Sequence, residues 1–194
     1  MRPTRKPTRL TTHDYSAPGY YFVTICTADK ANLFGTIPCA DSALAPSAVR
    51  LSEMGKLVAQ TIEHLPLRFP RVLVDKYVVM PNHVHLILVF QSVPVVENDA
   101  VVGAIHESPL PPQASEPSVQ NISSRPRSLY SQVIGYLKAT ASREIHRQIA
   151  PDIKIWQRDS FDHIIRTEEQ YQRIWHYIDT NPAKWLEDVY YRGT

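Results

Sequence analysis

The stretch VLVDKYVVM (72–80), Pro81-Asn82, HVHLILVF (83–90) decides the fold. Both runs are β-branched and apolar, so each reads as a strand. The Pro-Asn break between them makes them antiparallel neighbours or a bent, bulged pair. Upstream, YYFVTICT (20–27) is another strand, and Leu33–Ile37 a short one. Ser52 then caps a helix running to about Leu65, with Met54, Leu57, Val58, Ile62 and Leu65 on one face and Pro66 as its stop. Downstream, a helix spans about Leu129 to Gln148 with an apolar stripe of Val133, Leu137, Ala141, Ile145 and Ile149. Phe161–Arg166 reads as the fourth strand. Thr167-Glu168-Glu169-Gln170 is a capping box opening a helix to about Thr180. Asn181-Pro182 ends that helix, because a residue before proline is pushed out of the α region. Pro182 starts a last short helix through Val189. The order β-α-β-β-α-β predicts an α+β fold: a ferredoxin-like four-stranded antiparallel sheet with helices on one face, plus C-terminal helices.

Length and charge bound the function. The 194 residues suffice for one domain with a real core, and 43% hydrophobic residues exclude a disordered chain. The net charge of +2 does not by itself announce a nucleic-acid protein, but it is unevenly spread. Residues 1–18 form a basic, proline-bearing arm, and residues 19–194 a single domain interrupted at 91–127 by an acidic Pro/Ser-rich insertion. No leader or membrane-spanning stretch is expected, and Cys26 and Cys39, 13 apart and in no CxxC pattern, read as free thiols of a reducing cytosol, with a single disulfide the alternative.

Three groups of residues carry chemistry. His83 and His85 sit two apart on a strand and share a face, so both imidazoles can reach one metal ion; two polar side chains satisfied by backbone or water is the alternative. Among the helical tyrosines, Tyr130, Tyr136 and Tyr171 have Ile134, Thr140 and Trp175 one turn on, whereas Tyr177 has Asn181. That spacing can offer a nucleophile and an amide oxygen to one site. Tyr177 on an amphipathic stripe and Asn181 as an ordinary N-cap are the plain readings. The third group is Trp156-Gln157-Arg158, Asp162-His163 and Arg166. His163 and Arg166, with Lys138 and Arg143 on the preceding helix, are either phosphate contacts or ordinary core and surface residues.

MPNHVH (80–85), WQRDSFDHIIR (156–166) and YIDTNP (177–182), with YYFVTICT and LFG near the start, resemble the REP-associated tyrosine transposases. These are single-strand DNA transposases of the HUH class, named for two His around a hydrophobic residue. The resemblance implies a metal-dependent enzyme that cleaves and rejoins single-stranded DNA near hairpin-forming, REP-like repeats through a 5′-phosphotyrosine intermediate. It assigns Tyr177 as nucleophile, and His83, His85 and Asn181 as ligands of Mg²⁺ or Mn²⁺, with Zn²⁺ the less favoured ion. Arg2, Arg5, Lys6, Arg9, Lys138, Arg143, Arg158, His163 and Arg166 are the expected DNA contacts. Arg158-Asp159-Ser160-Phe161 departs from the basic-aromatic run of many relatives. A cytoplasmic, nucleoid-associated monomer or homodimer is expected. The alternative is a domesticated, non-catalytic single-stranded nucleic-acid binder on the same fold, stacking bases on exposed Tyr15, Tyr20 and Trp156. Should Tyr177 not be the nucleophile, Tyr136 is next in line.

Overall fold

Alternating apolar residues on three consecutive partners make one continuous sheet. In the computed structural model, which describes residues 13–38, 49–92 and 127–192, β1 (Gly19–Cys26) is followed by the short strands β2 (Gly35–Thr36) and β3 (Arg50–Leu51). Next come α1 (Glu53–Glu63), α2 (Leu65–Arg68), β4 (Val72–Val79) and β5 (His83–Phe90). After residues 93–126, α3 (Leu129–Gln148), β6 (Phe161–Ile165) and α4 (Glu168–Thr180) complete the fold, with a 3-10 turn at Pro182–Glu187. The main sheet has the order β4-β5-β1-β6 and is antiparallel throughout. This is the expected α+β architecture. The β4–β5 pair is bulged between Val74 and Lys76.

The two sheet faces are covered differently. Tyr21, Val23 and Ile25 of β1 and Val84, Leu86, Leu88 and Phe90 of β5 pack on Val58 and Ile62 of α1 and on Val133, Leu137, Ala141 and Ile145 of α3. On the other face, Phe22, Ile87 and Ile165 meet Ile178 of α4. Ser52 caps α1 as expected, accepting from the Gly55 amide, and its hydroxyl donates to the Leu33 carbonyl at 2.7 Å. Gly55 lies so close to strand β2's entry that a Cβ would stand 2.0 Å from the Phe34 oxygen.

Several local expectations are corrected. Pro66 does not stop α1; the helix ends at Glu63, and Pro66 occupies the first turn of α2, where its missing N–H costs nothing. Asn181 is not excluded from the α region: its φ and ψ are −57° and −42°, and the chain passes from α4 straight into the 3-10 turn. Asn181 gives that turn no side-chain cap. Ile149 lies past the end of α3 and is exposed. Tyr15 and Trp156 are not exposed stacking platforms: Tyr15 packs in the core against Tyr130, and Trp156 against Phe34. Cys26 is a buried free thiol; Cys39 lies outside the described residues, as do residues 1–12 of the arm and 93–126 of the insertion. Among the described residues no helix is long and apolar enough to cross a membrane.

Candidate active site

Because Val84, Leu86 and Leu88 are pinned into the α1/α3 core, the strand period of two turns His83 and His85 onto the opposite face. Their Nε2 atoms lie 3.0 Å apart, close enough for both to bind one ion. The rear nitrogens are engaged. His83 Nδ1 is 2.9 Å from Asn82 Oδ1, and His85 Nδ1 is 2.8 Å from Thr24 Oγ1 on β1, its register partner. The Asn82 amide nitrogen donates to the carbonyls of Lys30 and Tyr190, so its oxygen is the acceptor facing His83. The His83 proton therefore sits on Nδ1, and Nε2 keeps its lone pair for a metal. Both rings are neutral at pH 7. Burial, reinforced by Lys30, pushes His83 down to about 3, and burial with His83 beside it holds His85 well below its ordinary value, against the opposing pull of Asp188.

Helix α4 crosses this end of the sheet and brings its last turn to the histidines. The Tyr177 hydroxyl is 3.2 Å from His85 Nε2. Burial raises this phenol to about 12, helped by Asp188 and Tyr190, so it is protonated at neutral pH. One turn on, Asn181 is 2% exposed. Its Nδ2 donates to Asp188 Oδ2 at 2.8 Å, while its Oδ1 is buried with no hydrogen-bond partner. Asp188 follows the 3-10 turn, and its Oδ1 accepts from the Tyr190 amide at 2.7 Å. One ligand atom each from His83, His85 and Asp188 lies within 4.8 Å of the others. Tyr190 lays its ring 4.5 Å from that of His83, with the Lys30 ammonium 4.8 Å above the tyrosine ring. Two neutral imidazole nitrogens and the Asp188 carboxylate could hold a divalent ion with mixed N and O preference, and the unpartnered Asn181 oxygen lies next to that carboxylate. A cavity of about 170 Å³ adjoins this cluster, with Tyr177, Asn181, Asp188 and Lys184 in its wall.

The other expected site residues are scattered. His163 is exposed and stands opposite Phe22, on the same sheet face as the histidines. Arg166 is exposed beyond the far end of β6, beside Tyr20 and Tyr171. The Lys138 ammonium donates to the carbonyls of Gln157, Arg158 and Asp159, bracing the loop before β6. Arg158 is exposed in that loop, and Arg143 is exposed on α3, the helix of the opposite face. Arg2, Arg5, Lys6 and Arg9 lie outside the described residues. Tyr136 packs on Phe69 on the α3 side, away from the histidines, so the second tyrosine of the cluster is Tyr190. Sequence patterns do not single out Asn82, Asp188 or Tyr190 as site residues. Asn82 stood inside the MPNHVH block and carried a signal; Asp188 and Tyr190, beyond a proline-led turn, carried none.

No family model matches the chain. An uncharacterised protein of Haemophilus influenzae is 32% identical over 190 residues, covering 96% of this chain and 93% of its own. The chain belongs to that protein's family. Among solved structures, a REP-associated tyrosine transposase bound to a REP hairpin aligns with 95% of this chain and 74% of its own, at a TM-score of 0.50 and 16% identity. That likeness is one of fold: this chain shares the fold of that transposase. A candidate transposase of Deinococcus radiodurans aligns over 92% of this chain and 96% of its own, at a TM-score of 0.44 and 12% identity.

Proposed function

We propose that the protein is a metal-dependent single-strand DNA transposase or nickase that cleaves and rejoins DNA near hairpin-forming, REP-like sequences. The observation that carries this reading is the convergence of the Tyr177 hydroxyl, 3.2 Å from His85 Nε2, on the facing His83 and His85 nitrogens. A partly exposed tyrosine beside two neutral histidines, whose rear nitrogens are held by Asn82 and Thr24, suits phosphodiester chemistry, and a purely structural pair would not need its Nε2 atoms left facing one another. His83, His85 and Asn181 would hold Mg²⁺ or Mn²⁺. The bound ion supplies Lewis-acid polarisation of the scissile phosphate.

The remaining chemistry belongs to the chain. Tyr177 Oη attacks phosphorus, the Oη–P bond forms and the P–O3′ bond breaks. The phenolic proton is lost and the departing 3′ oxygen takes one up, so no external energy source is consumed. The 5′-phosphotyrosine keeps the bond energy for rejoining to a second 3′-hydroxyl. Asn82 and Thr24 hold the imidazoles in place, and α4 sets the distance of the nucleophile. His163, on the open part of the same face, and Arg166 are candidate DNA contacts, with Arg2, Arg5, Lys6, Arg9, Arg143 and Arg158; Lys138 acts there by bracing its loop. A nucleoid location follows from such a substrate.

A hairpin-bearing oligonucleotide incubated with Mn²⁺ should give a protein–DNA adduct on a denaturing gel, and Tyr177→Phe should give none while still binding the oligonucleotide. Salt-sensitive binding with no adduct in the parent protein would instead select the non-catalytic binder. An adduct that survives in Tyr177→Phe would pass the nucleophile's role to Tyr190.

A further inference from the structure

We propose that Asp188 organises the metal centre from behind its ligands: it fixes which end of the Asn181 amide is free to face the ion and supplies the negative charge that His83, His85 and Asn181 lack. The inference rests on the metal reading above. An amide can flip about its last bond, and its two ends differ little in shape. At Asn181 the choice is made by Asp188, whose Oδ2 takes the amide nitrogen at 2.8 Å and leaves Oδ1 buried and without a hydrogen-bond partner. Asp188 is itself held. Its Oδ1 accepts from the Tyr190 amide at 2.7 Å, and its own amide donates to the Trp185 carbonyl at 3.1 Å. Tyr190 is tied back to β5 through its carbonyl, which accepts from Asn82 Nδ2 at 2.8 Å. A single chain of hydrogen bonds therefore runs from His83 through Asn82, Tyr190 and Asp188 to Asn181.

Charge points the same way. His83, His85 and Asn181 are neutral donors, and a dication taken from water into a buried site requires a counter-charge. Asp188 is the carboxylate grouped with the two histidines among the described residues. Asp188 is thus a positioning residue whose effect is read in metal affinity.

The test is calorimetric titration of the full chain with Mn²⁺, without DNA, alongside melting curves of the metal-free proteins. His83→Ala should abolish uptake. Asp188→Asn keeps the shape and removes the charge, and should weaken Mn²⁺ about 10- to 100-fold, the range seen when outer-shell partners are lost. Asp188→Glu should recover most of that loss, and Asp188→Ala should be at least as weak as Asp188→Asn. Mn²⁺ affinity of Asp188→Asn within about twofold of the parent, with both proteins folded, overturns the inference and leaves the metal reading standing. A parent chain that takes up no Mn²⁺ overturns both.

Discussion

The two faces of the sheet are built from the same strands by opposite rules. On the α1/α3 face, β1 and β5 present Tyr21, Val23, Ile25, Val84, Leu86, Leu88 and Phe90, and α3 alone buries six side chains. On the α4 face, the same strands present Thr24, Phe22, His83, His85 and Ile87, and α4 buries one residue fully, Ile178. The first face has apolar area to spare, and it fixes register. A one-residue slip would send its whole apolar set to the other side. The second face can then hold buried polar groups whose geometry is imposed on it. The site costs stability, and the opposite face supplies it.

The largest expected effect comes from reversing that division of labour. Leu86→Ala, on the packed face, should lose about 2–5 kcal/mol in denaturant unfolding, the range for deleting a buried leucine. His85→Ala, one residue earlier on the other face, should lose less and yet abolish Mn²⁺ uptake. Equal losses from the two variants would mean that both faces stabilise the fold alike.

Alkaline pH offers a second comparison. Tyr21, on the packed face, donates to the Ala17 carbonyl at 2.9 Å, and burial, with Asp14 next, raises its phenol from 10.0 to about 12. Between those values the unfolded chain loses this proton and the folded chain keeps it. Stability is therefore complete below pH 10 and falls as pH rises through about 12. Tyr21→Phe should flatten that alkaline decline relative to the parent; an unchanged slope would assign it elsewhere.

The period of two and the helical spacing of four made much of this legible. They place His83 beside His85, and Tyr177 beside Asn181, without any knowledge of tertiary contacts. The element order β-α-β-β-α-β follows from the same patterns. What escaped depends on partners distant in sequence or on irregular backbone. Asn82 reads as a turn residue, but its amide nitrogen joins the carbonyls of Lys30 and Tyr190, 52 and 108 residues away. Asp188 returns to Asn181 across a 3-10 turn whose helical path is broken at Lys184. Trp156 looked available for stacking because nothing local shows that it bridges Thr27 across the molecule.

Asn82 joins the two faces' logic, since it sits at the hairpin end and serves the site. Asn82→Ala should strip partners from His83 Nδ1 and from two carbonyls at once. About 1–3 kcal/mol of stability should go, as for a buried polar group left unsatisfied. Mn²⁺ affinity should fall with it, because the His83 tautomer is no longer fixed. Asn82→Asp, which keeps the acceptor for His83 and loses the donor, separates the two effects: metal affinity should survive better than stability. Loss of both together would make Asn82 a turn residue and nothing more.

The smallest effect should appear in the docking of α4. Besides Ile178 and the partly buried Tyr171 and Ile174 beside it, that helix is held by polar contacts along β4. Lys76 Nζ is 2.5 Å from Asp179 Oδ1 and 3.7 Å from the Trp175 ring centroid, and the Tyr171 hydroxyl donates to Asp75 at 2.8 Å. Lys76 is only partly exposed and Asp179 largely so, which keeps the ion pair weak. Such contacts hold a helix in place without burying it, so α4 amides should exchange with solvent faster than those of α3. Lys76→Met removes the charge and keeps the side chain's length. It should destabilise the α4 docking by less than about 1 kcal/mol, the scale of one exposed ion pair with a ring contact. Exchange in α4 should then quicken up to about fivefold while α3 stays unchanged. If α3 quickened equally, the two faces would open as one unit, and α4 could not move relative to the histidines without unfolding the sheet.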